Sequence, residues 1–432
     1  MKNLITKMTS TRFFLIFSLI IYRILLDIAF ITIISEQYAY AGFGLDINYV
    51  KVIESYLIII IFSFLLKYKI EKPSDFFILF LFSMLIVPLT SIYSLQDKAR
   101  EFMYYMFLSF IILMIFSKTK NIRLFRIENG YKIALISTVL IGVGLFAWII
   151  MRGGLRYLNF NLFKVYDFRS TVAELIFPGY LAYLMAWFGK VMNPFFIAYN
   201  LWRKNKTGII ISTSVQVIFF AITAHKAMLF YPVLIFFVYK VGAKSNFAQM
   251  VPFGLAMVNF FSIALYYLIG SLKLITLFSR RVLLLTSRIH YIYYDFFKEN
   301  GFLYFSNRKW FPKIIDYPYS LPVQLVVNQG KSEGWANTGF LANAYAHFGF
   351  AGMIVYSIIV GIIFSYIDYF SKKHLPMLLC IAIMVTPLFS LISADLPTAL
   401  LNHGILIGMV MLWLMSSSSW GKSDDKSIKN SR

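Results

Sequence analysis

Hydrophobic segments long enough to cross a lipid bilayer recur along the whole chain and restrict its fold more than any other feature. A transmembrane helix needs about 20 consecutive apolar residues. We predict membrane-spanning helices over residues 13–34, 52–66, 76–95, 102–116, 133–150, 172–188, 208–223, 227–240, 248–270, 340–365, 375–393 and 398–415. Only 14% of the residues are charged, whereas a soluble domain carries about 25%. The sequence therefore predicts an all-α integral membrane protein with about 12 transmembrane helices.

The distribution of Lys and Arg predicts how these spans are oriented. Short cytoplasmic loops attract basic residues, and the loops on the side of the two termini carry most of them. Both termini are therefore predicted to be cytoplasmic. Residues 1–270 then hold spans one to nine, residues 271–339 form a large periplasmic loop, residues 340–415 hold spans ten to twelve, and residues 416–432 form a cytoplasmic tail. The net charge of +22 is explained by topology and anionic lipid, so we predict no nucleic-acid partner.

Some basic residues lie on the outer side, against this orientation rule. They fall in the segment 151–171, in the turn between spans seven and eight, and in the large loop 271–339. Those that we single out are Arg152, Arg156, Arg169, Lys226, Arg280, Arg281 and Arg288. Arginine presents a planar fork of donors that suits phosphate and diphosphate, so these cations predict an anionic ligand. Solvated loop charges or contacts with lipid head groups are the alternative.

An amphipathic helix is predicted at the start of the large loop. Its apolar positions repeat at intervals of three and four residues, and they are Val282, Leu285, Ile289, Ile292 and Phe296. At about 100° per residue, Arg281, Arg288 and Asp295 fall beside this apolar stripe, whereas His290 falls nearly opposite Arg288. We expect the helix to lie at the membrane surface with its arginines toward the spans.

The same helix carries a run of aromatic residues, which comprises Tyr291, Tyr293, Tyr294, Phe296 and Phe297. Aromatic side chains are typical of the belt at a membrane interface, and we predict such a belt here. A platform on which sugars stack is the alternative.

Small and polar residues surround the start of span ten. Asn337, Asn343 and His347 stand out among them, and Asn343 and His347 share one helix face because they are four residues apart. Polar groups at this depth favour a functional role. The small residues around them also permit close helix packing, which is the alternative.

Three polar features lie within other apolar segments. Arg23 and Asp27 are four residues apart in span one, so we expect them to neutralise each other. The Asn-Pro pair that ends at Pro194 is predicted to interrupt the apolar stretch after span six. His403 in span twelve is expected to pair with Asn402.

Several common catalytic motifs are absent from the sequence. It contains no P-loop, no G-x-G-x-x-G, no H-E-x-x-H and no G-x-S-x-G, and no D-x-D in an outer segment. Its single cysteine, Cys380, excludes an internal disulfide. We therefore predict no metal and no cofactor, and the energy for any reaction outside the cytoplasm must come with the substrate.

A family resemblance is clearest in three parts of the sequence. The first is Gly179-Tyr180-Leu181 with Trp187 and Asn193-Pro194, and the second is Thr223-Ala224-His225-Lys226. The third is Ser279-Arg280-Arg281 through Tyr294-Asp295-Phe296-Phe297, followed by Ala336-Asn337-Thr338-Gly339-Phe340 and His347-Phe348-Gly349-Phe350-Ala351-Gly352. In these parts the chain resembles the Wzy-type O-antigen polymerases, the oligosaccharide repeat-unit polymerases of bacterial surface polysaccharide. The resemblance covers most of the chain. It departs at His225-Lys226-Ala227, where a Gly-Lys-Ser sequence is expected, so a phosphate-binding hydroxyl is missing.

The resemblance implies a multi-pass glycosyltransferase of the bacterial inner membrane that uses no metal or cofactor. Its substrate would be an undecaprenyl-diphosphate-linked glycan. The growing polymer would be transferred, at the periplasmic face, to the non-reducing end of a newly flipped repeat unit. Membrane lipid would be a partner, and a chain-length regulator and a flippase would act beside the enzyme.

This interpretation assigns roles to the residues singled out above. The predicted catalytic residues are Arg169, Arg280, Arg281, Arg288 and His290, and the predicted substrate-binding residues are Arg152, Arg156, Lys226, Asn337, Asn343 and His347. The four catalytic arginines and Lys226 would stabilise charge on the diphosphate leaving group. For the base that activates the acceptor hydroxyl, the sequence leaves His290, Asp295, Glu174 and Glu333 open.

Three other functions compete with polymerisation. An O-antigen ligase shares both the topology and the chemistry. A flippase for lipid-linked oligosaccharides should keep short loops and place its charges within the spans, often with internal repeats, so the large loop argues against it. A membrane acyltransferase would need a histidine deep within a span, and His403 is the candidate for that role.

Overall fold

A computed structural model of the protein describes residues 9–160, 179–223, 225–308, 311–328, 335–373 and 375–416. Across these residues the chain is all-helical and contains no strand, which confirms the all-α part of the predicted fold class. The main helices are α1 (Arg12–Gln37), α2 (Tyr49–Leu65), α3 (Pro73–Leu95), α4 (Arg100–Phe116), α5 (Gly130–Met151), α6 (Tyr180–Trp202), α7 (Lys206–Thr223), α8 (Lys226–Gly242), α9 (Phe247–Ile269), α10 (Ile275–Leu284 continued by Leu285–Asn300), α11 (Phe340–Lys373), α12 (Met377–Ile392), α13 (Leu396–Leu401) and α14 (Ile405–Ser416).

Each of the twelve predicted spans overlaps at least one of these helices. In the part of the chain that the structure describes, seven helices are long and apolar enough to cross a membrane: α1, α3, α5, α6, α7, α9 and α11. Predicted spans two, four, eight, eleven and twelve correspond to shorter helices. The protein is therefore a multi-pass helical membrane protein.

Helix α6 corrects the predicted interruption at Pro194. The predicted span covered 172–188, of which 172–178 lie outside the described residues, but the helix continues to Trp202. A π-helical turn, Phe188–Met192, precedes the proline. Because such a turn already departs from regular α-helical hydrogen bonding, it accommodates the missing N–H of proline without ending the helix.

Two other predicted spans are bent or divided. Helix α11 is kinked at Gly349, which has a φ of 60°. Predicted span twelve, 398–415, is divided between α13 and α14 at Gly404, which has a φ of 79°. Glycine adopts these left-handed conformations without steric cost. Each break follows a histidine closely, with His347 before the kink and His403 before the division.

Contacts between the helices define two units. Unit one contains α1 to α4, α9, α10, α11 as far as Ser365, and the segment Phe389–Thr398. Unit two contains α5 to α8, the rest of α11, α12 as far as Leu388, and the described chain from Ala399. The described residues of the large loop 271–339 therefore pack as part of unit one.

The interior of unit one contains a charged pair. Arg23 Nη1 lies 2.7 Å from Asp27 Oδ2, and Arg23 is fully buried. The Arg23 Nη2 donates to Ser94 Oγ at 2.9 Å and to the carbonyl oxygen of Thr90 at 2.8 Å. Tyr56 donates its hydroxyl to Asp27. The predicted neutralising pair is confirmed, and these added hydrogen bonds offset the cost of burying its charges.

Helix α10 is embedded in unit one. It begins at Ile275, earlier than its apolar pattern predicts, and its first ten residues are π-helical. Every residue in 286–294 is buried, so the expected surface helix with one exposed polar face is wrong for this stretch. The rings of Tyr291, Tyr293 and Tyr294 are at most 1% exposed, so the predicted interfacial belt is also wrong. The spacing of apolar residues along a helix indicates only one buried face, whereas α10 is buried on several sides.

Candidate active site

The turn that follows α1 receives the first arginines of α10. Arg280 places its guanidinium carbon 3.9 Å from the centre of the Tyr38 ring, which is a cation–π arrangement. Burial lowers the pKa of Arg280, and the charge of the neighbouring Arg281 lowers it further. Arg281 itself is exposed. Positive charge is thus concentrated at this turn, and a bound anionic ligand would offset the cost of burying it.

Arg288 reaches the same turn from further along α10. It is only 7% exposed, and its guanidinium carbon lies 5.5 Å from the centre of the Phe43 ring. Gly42 has a φ of 83°, and a Cβ atom at this position would overlap the guanidinium. Gln96 fixes the turn, because its Nε2 donates to the carbonyl oxygens of Gly42 and Gly44 at 2.9 Å each. Burial lowers the pKa of Arg288.

Two separate parts of α10 therefore deliver arginine to one turn of unit one. We call Arg280, Arg281 and Arg288, together with residues 38–44, the arginine face. Spacing along α10 predicted the side of the helix on which Arg281 and Arg288 lie, but it gave no indication that residues 38–44 would meet them.

His290 points away from the arginine face, as the helical geometry predicts. The ring is fully buried, and its Nδ1 lies 2.7 Å from the carbonyl oxygen of Thr286 and 2.9 Å from Thr338 Oγ1. A Cβ atom at Gly339 would come within 2.9 Å of His290 Nε2. Burial lowers the pKa of His290 to about 4, so the ring is neutral near pH 7. His290 is thus placed to hold the side chain of Thr338, just before α11.

Asn343 holds the backbone at Thr338 and Gly339. Its Nδ2 donates to the carbonyl oxygens of Thr338 at 2.8 Å and of Gly339 at 3.0 Å. Asn337, by contrast, is exposed. Of the two asparagines singled out in the sequence, Asn343 therefore stabilises the start of α11, whereas Asn337 is accessible to a ligand.

His347 belongs to a buried cluster centred on an acidic residue. Its Nε2 lies 3.3 Å from Asp395 Oδ2, and the same oxygen accepts a hydrogen bond from Arg308 Nη2 at 2.6 Å. The other carboxylate oxygen accepts from the Tyr356 hydroxyl at 3.1 Å. His347, Asp395 and Tyr356 are at most 5% exposed. We call these four residues the Asp395 cluster.

The electrostatics of this cluster keep Asp395 ionised. Burial raises the pKa of Asp395, but the hydrogen bonds from His347 and Arg308 and the positive charge of Arg308 outweigh burial, and the pKa is lowered overall. An ionised carboxylate beside Nε2 favours the tautomer of His347 that carries its proton there. The lone pair then lies on Nδ1, which is buried and has no hydrogen-bond partner among the described residues. A ring that a carboxylate fixes at one nitrogen, with a lone pair that has no partner at the other, shares these two features with a general base.

Asp395 and Arg308 are candidates that sequence reasoning missed. Asp395 is the only Asp, Glu, Lys or Arg between Lys373 and Lys422, and an isolated charge in an apolar stretch favours a functional role. That signal could have found it. Arg308 was one cation among several in the large loop, and no local pattern connects residues that are 87 positions apart, as Arg308 and Asp395 are.

Two predicted substrate-binding arginines lie in unit two, after α5. Arg152 is exposed and lies over the ring of Trp148, 5.0 Å from its centre. Arg156 is exposed in the short helical turn Gly154–Tyr157. Both side chains remain accessible to a ligand.

The other predicted cations also fall outside unit one or outside the described residues. The backbone N–H of Asn159 donates to the carbonyl oxygen of Ala221 at 2.9 Å, which joins the segment after α5 to the end of α7. Lys226 begins α8 and is half-buried. Arg169, and the proposed bases Glu174 and Glu333, lie outside the described residues.

His403 is hydrogen-bonded to Lys190, so its predicted partner, Asn402, is wrong. The distance from Lys190 Nζ to His403 Nδ1 is 2.7 Å, within unit two. Lys190 belongs to the π-helical turn of α6, and its carbonyl oxygen accepts from Thr386 Oγ1 at 2.8 Å. The division between α13 and α14 lets the imidazole reach this lysine.

Comparisons with known proteins do not add to this description, because no family model, curated protein or solved structure matches the chain. The fold and the side chains define a multi-pass helical membrane protein with a buried His–Asp pair and a concentration of arginine in the same unit. Any function must be argued from that arrangement.

Proposed function

We propose that this protein is a glycosyltransferase that polymerises undecaprenyl-diphosphate-linked oligosaccharide repeat units into a bacterial surface polysaccharide, such as O-antigen or capsule, at the periplasmic face of the inner membrane. The observation that carries the proposal is the pairing of His347 with Asp395. Its support from the sequence is the resemblance to the Wzy-type polymerases.

The first requirement of glycosyl transfer is an activated acceptor hydroxyl. Asp395 orients His347 through Nε2, and Arg308 helps to keep the carboxylate ionised. His347 Nδ1 then accepts the proton of the acceptor hydroxyl while the oxygen bonds to the anomeric carbon of the donor sugar. Asp395 also stabilises the imidazolium that results. His290, which is fully buried against Thr338, acts as a positioning residue in this mechanism.

The second requirement is stabilisation of the leaving group. The bond between the anomeric carbon and the lipid diphosphate breaks, and the diphosphate leaves with the electron pair. Arg280, Arg281 and Arg288 are the candidates to bind its negative charge, because guanidinium groups match phosphate oxygens in geometry and charge. Burial lowers the pKa of Arg280 and Arg288, and a bound diphosphate would offset that cost.

Chain-length analysis tests this function. The full-length protein is reconstituted with lipid-linked repeat units from a strain that lacks its gene, and the products are separated on a gel. His347→Gln and Asp395→Asn should each slow polymer formation by about 10²–10⁴-fold, which is the usual contribution of a general base. His403→Gln makes the same chemical change in unit two and should keep the wild-type ladder.

The result also separates the competing functions. Wild-type ladders from both His347→Gln and Asp395→Asn would reject the proposal. In the deletion strain, surface glycan with a single repeat unit supports a polymerase. Lipid-linked polymer that is never transferred would indicate a ligase, and repeat units trapped in the cytoplasm would indicate a flippase.

A further inference from the structure

A cleft of about 450 Å³ opens beside the Asp395 cluster in unit one. Residues that line it include Ser306, Asn307, Arg308, Tyr317, Tyr319 and Gln324. Its volume is within the range of small-molecule sites. We propose that this cleft binds the terminal sugar of the acceptor glycan. The inference rests on the proposed function and assigns it a substrate subsite outside both the arginine face and the His–Asp pair.

Three consecutive residues of the cleft carry buried polar atoms that lack a hydrogen-bond partner within the described chain. These atoms are Ser306 Oγ, Asn307 Oδ1 and Arg308 Nε, and Ser306 is only 6% exposed. Buried polar atoms almost always have a partner, and each exception requires an explanation. Three neighbouring exceptions in one cleft are explained by a ligand that supplies the missing hydrogen bonds.

The chemistry of these atoms selects the class of ligand. The hydroxyl of Ser306 can donate or accept, the amide oxygen of Asn307 only accepts, and the Nε of Arg308 only donates. Fully ionised phosphate oxygens only accept, so they leave Asn307 Oδ1 unsatisfied. Sugar hydroxyl groups both donate and accept, and they can satisfy all three.

Two tyrosines give the cleft an aromatic wall. Tyr317 and Tyr319 are half-buried, with ring centres 5.6 Å apart in an edge-to-face arrangement. Tyr317 donates its hydroxyl to the carbonyl oxygen of Leu321 at 2.7 Å, and Tyr319 packs on Phe296 of α10 with ring centres 5.7 Å apart. The rings are therefore held in place, and an aromatic wall with a few convergent polar groups is typical of a small-molecule site.

Arg308 connects the cleft to the proposed base. Its Nη2 bonds to Asp395 at 2.6 Å, and Arg308 also lines the cleft. One side chain thus joins the subsite to the carboxylate that orients His347. A sugar in the cleft is linked through Arg308 to Asp395, and holding reactants close together is a large part of catalysis.

Cysteine labelling tests the subsite directly. Cys380 is the only cysteine and is buried, so a Ser320→Cys variant carries its reactive thiol at the exposed rim of the cleft. The probe is the repeat-unit oligosaccharide after mild acid has released it from lipid. At saturation it should slow maleimide labelling of Ser320→Cys about tenfold. Labelling of Asp316→Cys, an exposed position outside the lining, should not change.

Either of two results would overturn the subsite: no protection of Ser320→Cys by the oligosaccharide, or equal protection by inorganic diphosphate at the same concentration. A second measurement compares the oligosaccharide affinity of variants in the cleft with that of the wild-type protein. Asn307→Leu and Tyr319→Ala should each weaken oligosaccharide binding about tenfold, which is about 1.4 kcal/mol. Ile314→Ala, an exposed change outside the lining, should bind as the wild type does.

The subsite and the proposed function can fail separately. When His347→Gln is combined with Ser320→Cys, the oligosaccharide should still slow maleimide labelling, although polymerisation is lost. If His347→Gln and Asp395→Asn both polymerise normally and protection persists, the proposed function is overturned and the glycan subsite stands. If polymerisation is lost and the oligosaccharide never protects, the subsite is overturned and the function stands.

Discussion

The arginine face and the Asp395 cluster differ in the charge that they present to a ligand. On the arginine face, Arg280 and Arg288 lie over aromatic rings, and burial lowers the pKa of both. In the Asp395 cluster, an acid is matched by the basic groups of Arg308 and His347. The first arrangement is suited to bind an anion and the second to accept a proton. Leaving-group stabilisation and nucleophile activation are thus assigned to different elements of one unit.

The largest effect is expected when His347 and Asp395, the proposed base and the residue that orients it, are substituted. His347→Gln and Asp395→Asn should each lower the transfer rate by about 10²–10⁴-fold. The double variant should be scarcely slower than either single variant, because residues that act as one unit have non-additive effects. Single-turnover rates with the reconstituted protein measure this coupling. Losses that simply multiply in the double variant would show that the two residues act independently.

A somewhat smaller effect is expected on the arginine face. Arg288→Ala should slow transfer by about 10²–10³-fold, as for the loss of other groups that stabilise a developing negative charge. Arg288→Lys should recover little of it, since an ammonium group cannot reproduce the planar fork over the Phe43 ring. Lys273→Ala removes an exposed cation from the same loop and serves as the control. Equal rates for Arg288→Ala and the control would remove the leaving-group role.

The arginine face was partly predictable from sequence because α10 has a regular pattern. The spacing of its apolar residues identified the helix and placed Arg288 and His290 on opposite sides. It could not identify the turn around Gly42, since a local pattern carries no information about which distant segment packs against a helix. It also misplaced the tyrosines, because Tyr291 and Tyr293 are enclosed by several elements.

For the Asp395 cluster, the sequence could indicate individual residues but not the contacts between them. His347 stood out as a polar residue at the start of a span, and Asp395 could have been found as an isolated charge in an apolar stretch. Their pairing depends on the kink after His347 and on the packing of α11 against the segment Phe389–Thr398. Such pairing across 48 positions is a property of tertiary structure, for which the sequence offers no periodic signal.

The effect of acid on stability distinguishes His290 from the Asp395 cluster. The pKa of His290 is lowered from 6.5 to about 4, so the unfolded chain binds a proton first as the pH falls. The free energy of unfolding should therefore decrease from pH 6.5 to about 4, by on the order of 3 kcal/mol. Denaturant unfolding of the detergent-solubilised protein across this range measures the slope. His290→Gln should reduce it.

The Asp395 cluster should contribute to the pH dependence of the free energy of unfolding at lower pH than His290 does. Because the pKa of Asp395 is lowered in the folded protein, its stabilisation is present above the unfolded value of about 4 and is lost as the pH falls further. Asp395→Asn should therefore remove this contribution at lower pH. A slope between pH 6.5 and 4 that is as steep in His290→Gln as in the wild type would assign the effect to other groups.

The smallest expected effect concerns the turn that receives the arginines. Gly42 has a φ of 83°, and a Cβ atom would overlap the Arg288 guanidinium. Gly42→Ala should therefore destabilise the fold by about 1–3 kcal/mol and also slow transfer, because Arg288 must move. At Gly44, two residues away, a Cβ atom would meet nothing within 4 Å, so Gly44→Ala should leave both quantities unchanged. If Gly42→Ala lost stability but kept full activity, Arg288 would only support the turn, and the arginine face would lose its role in transfer.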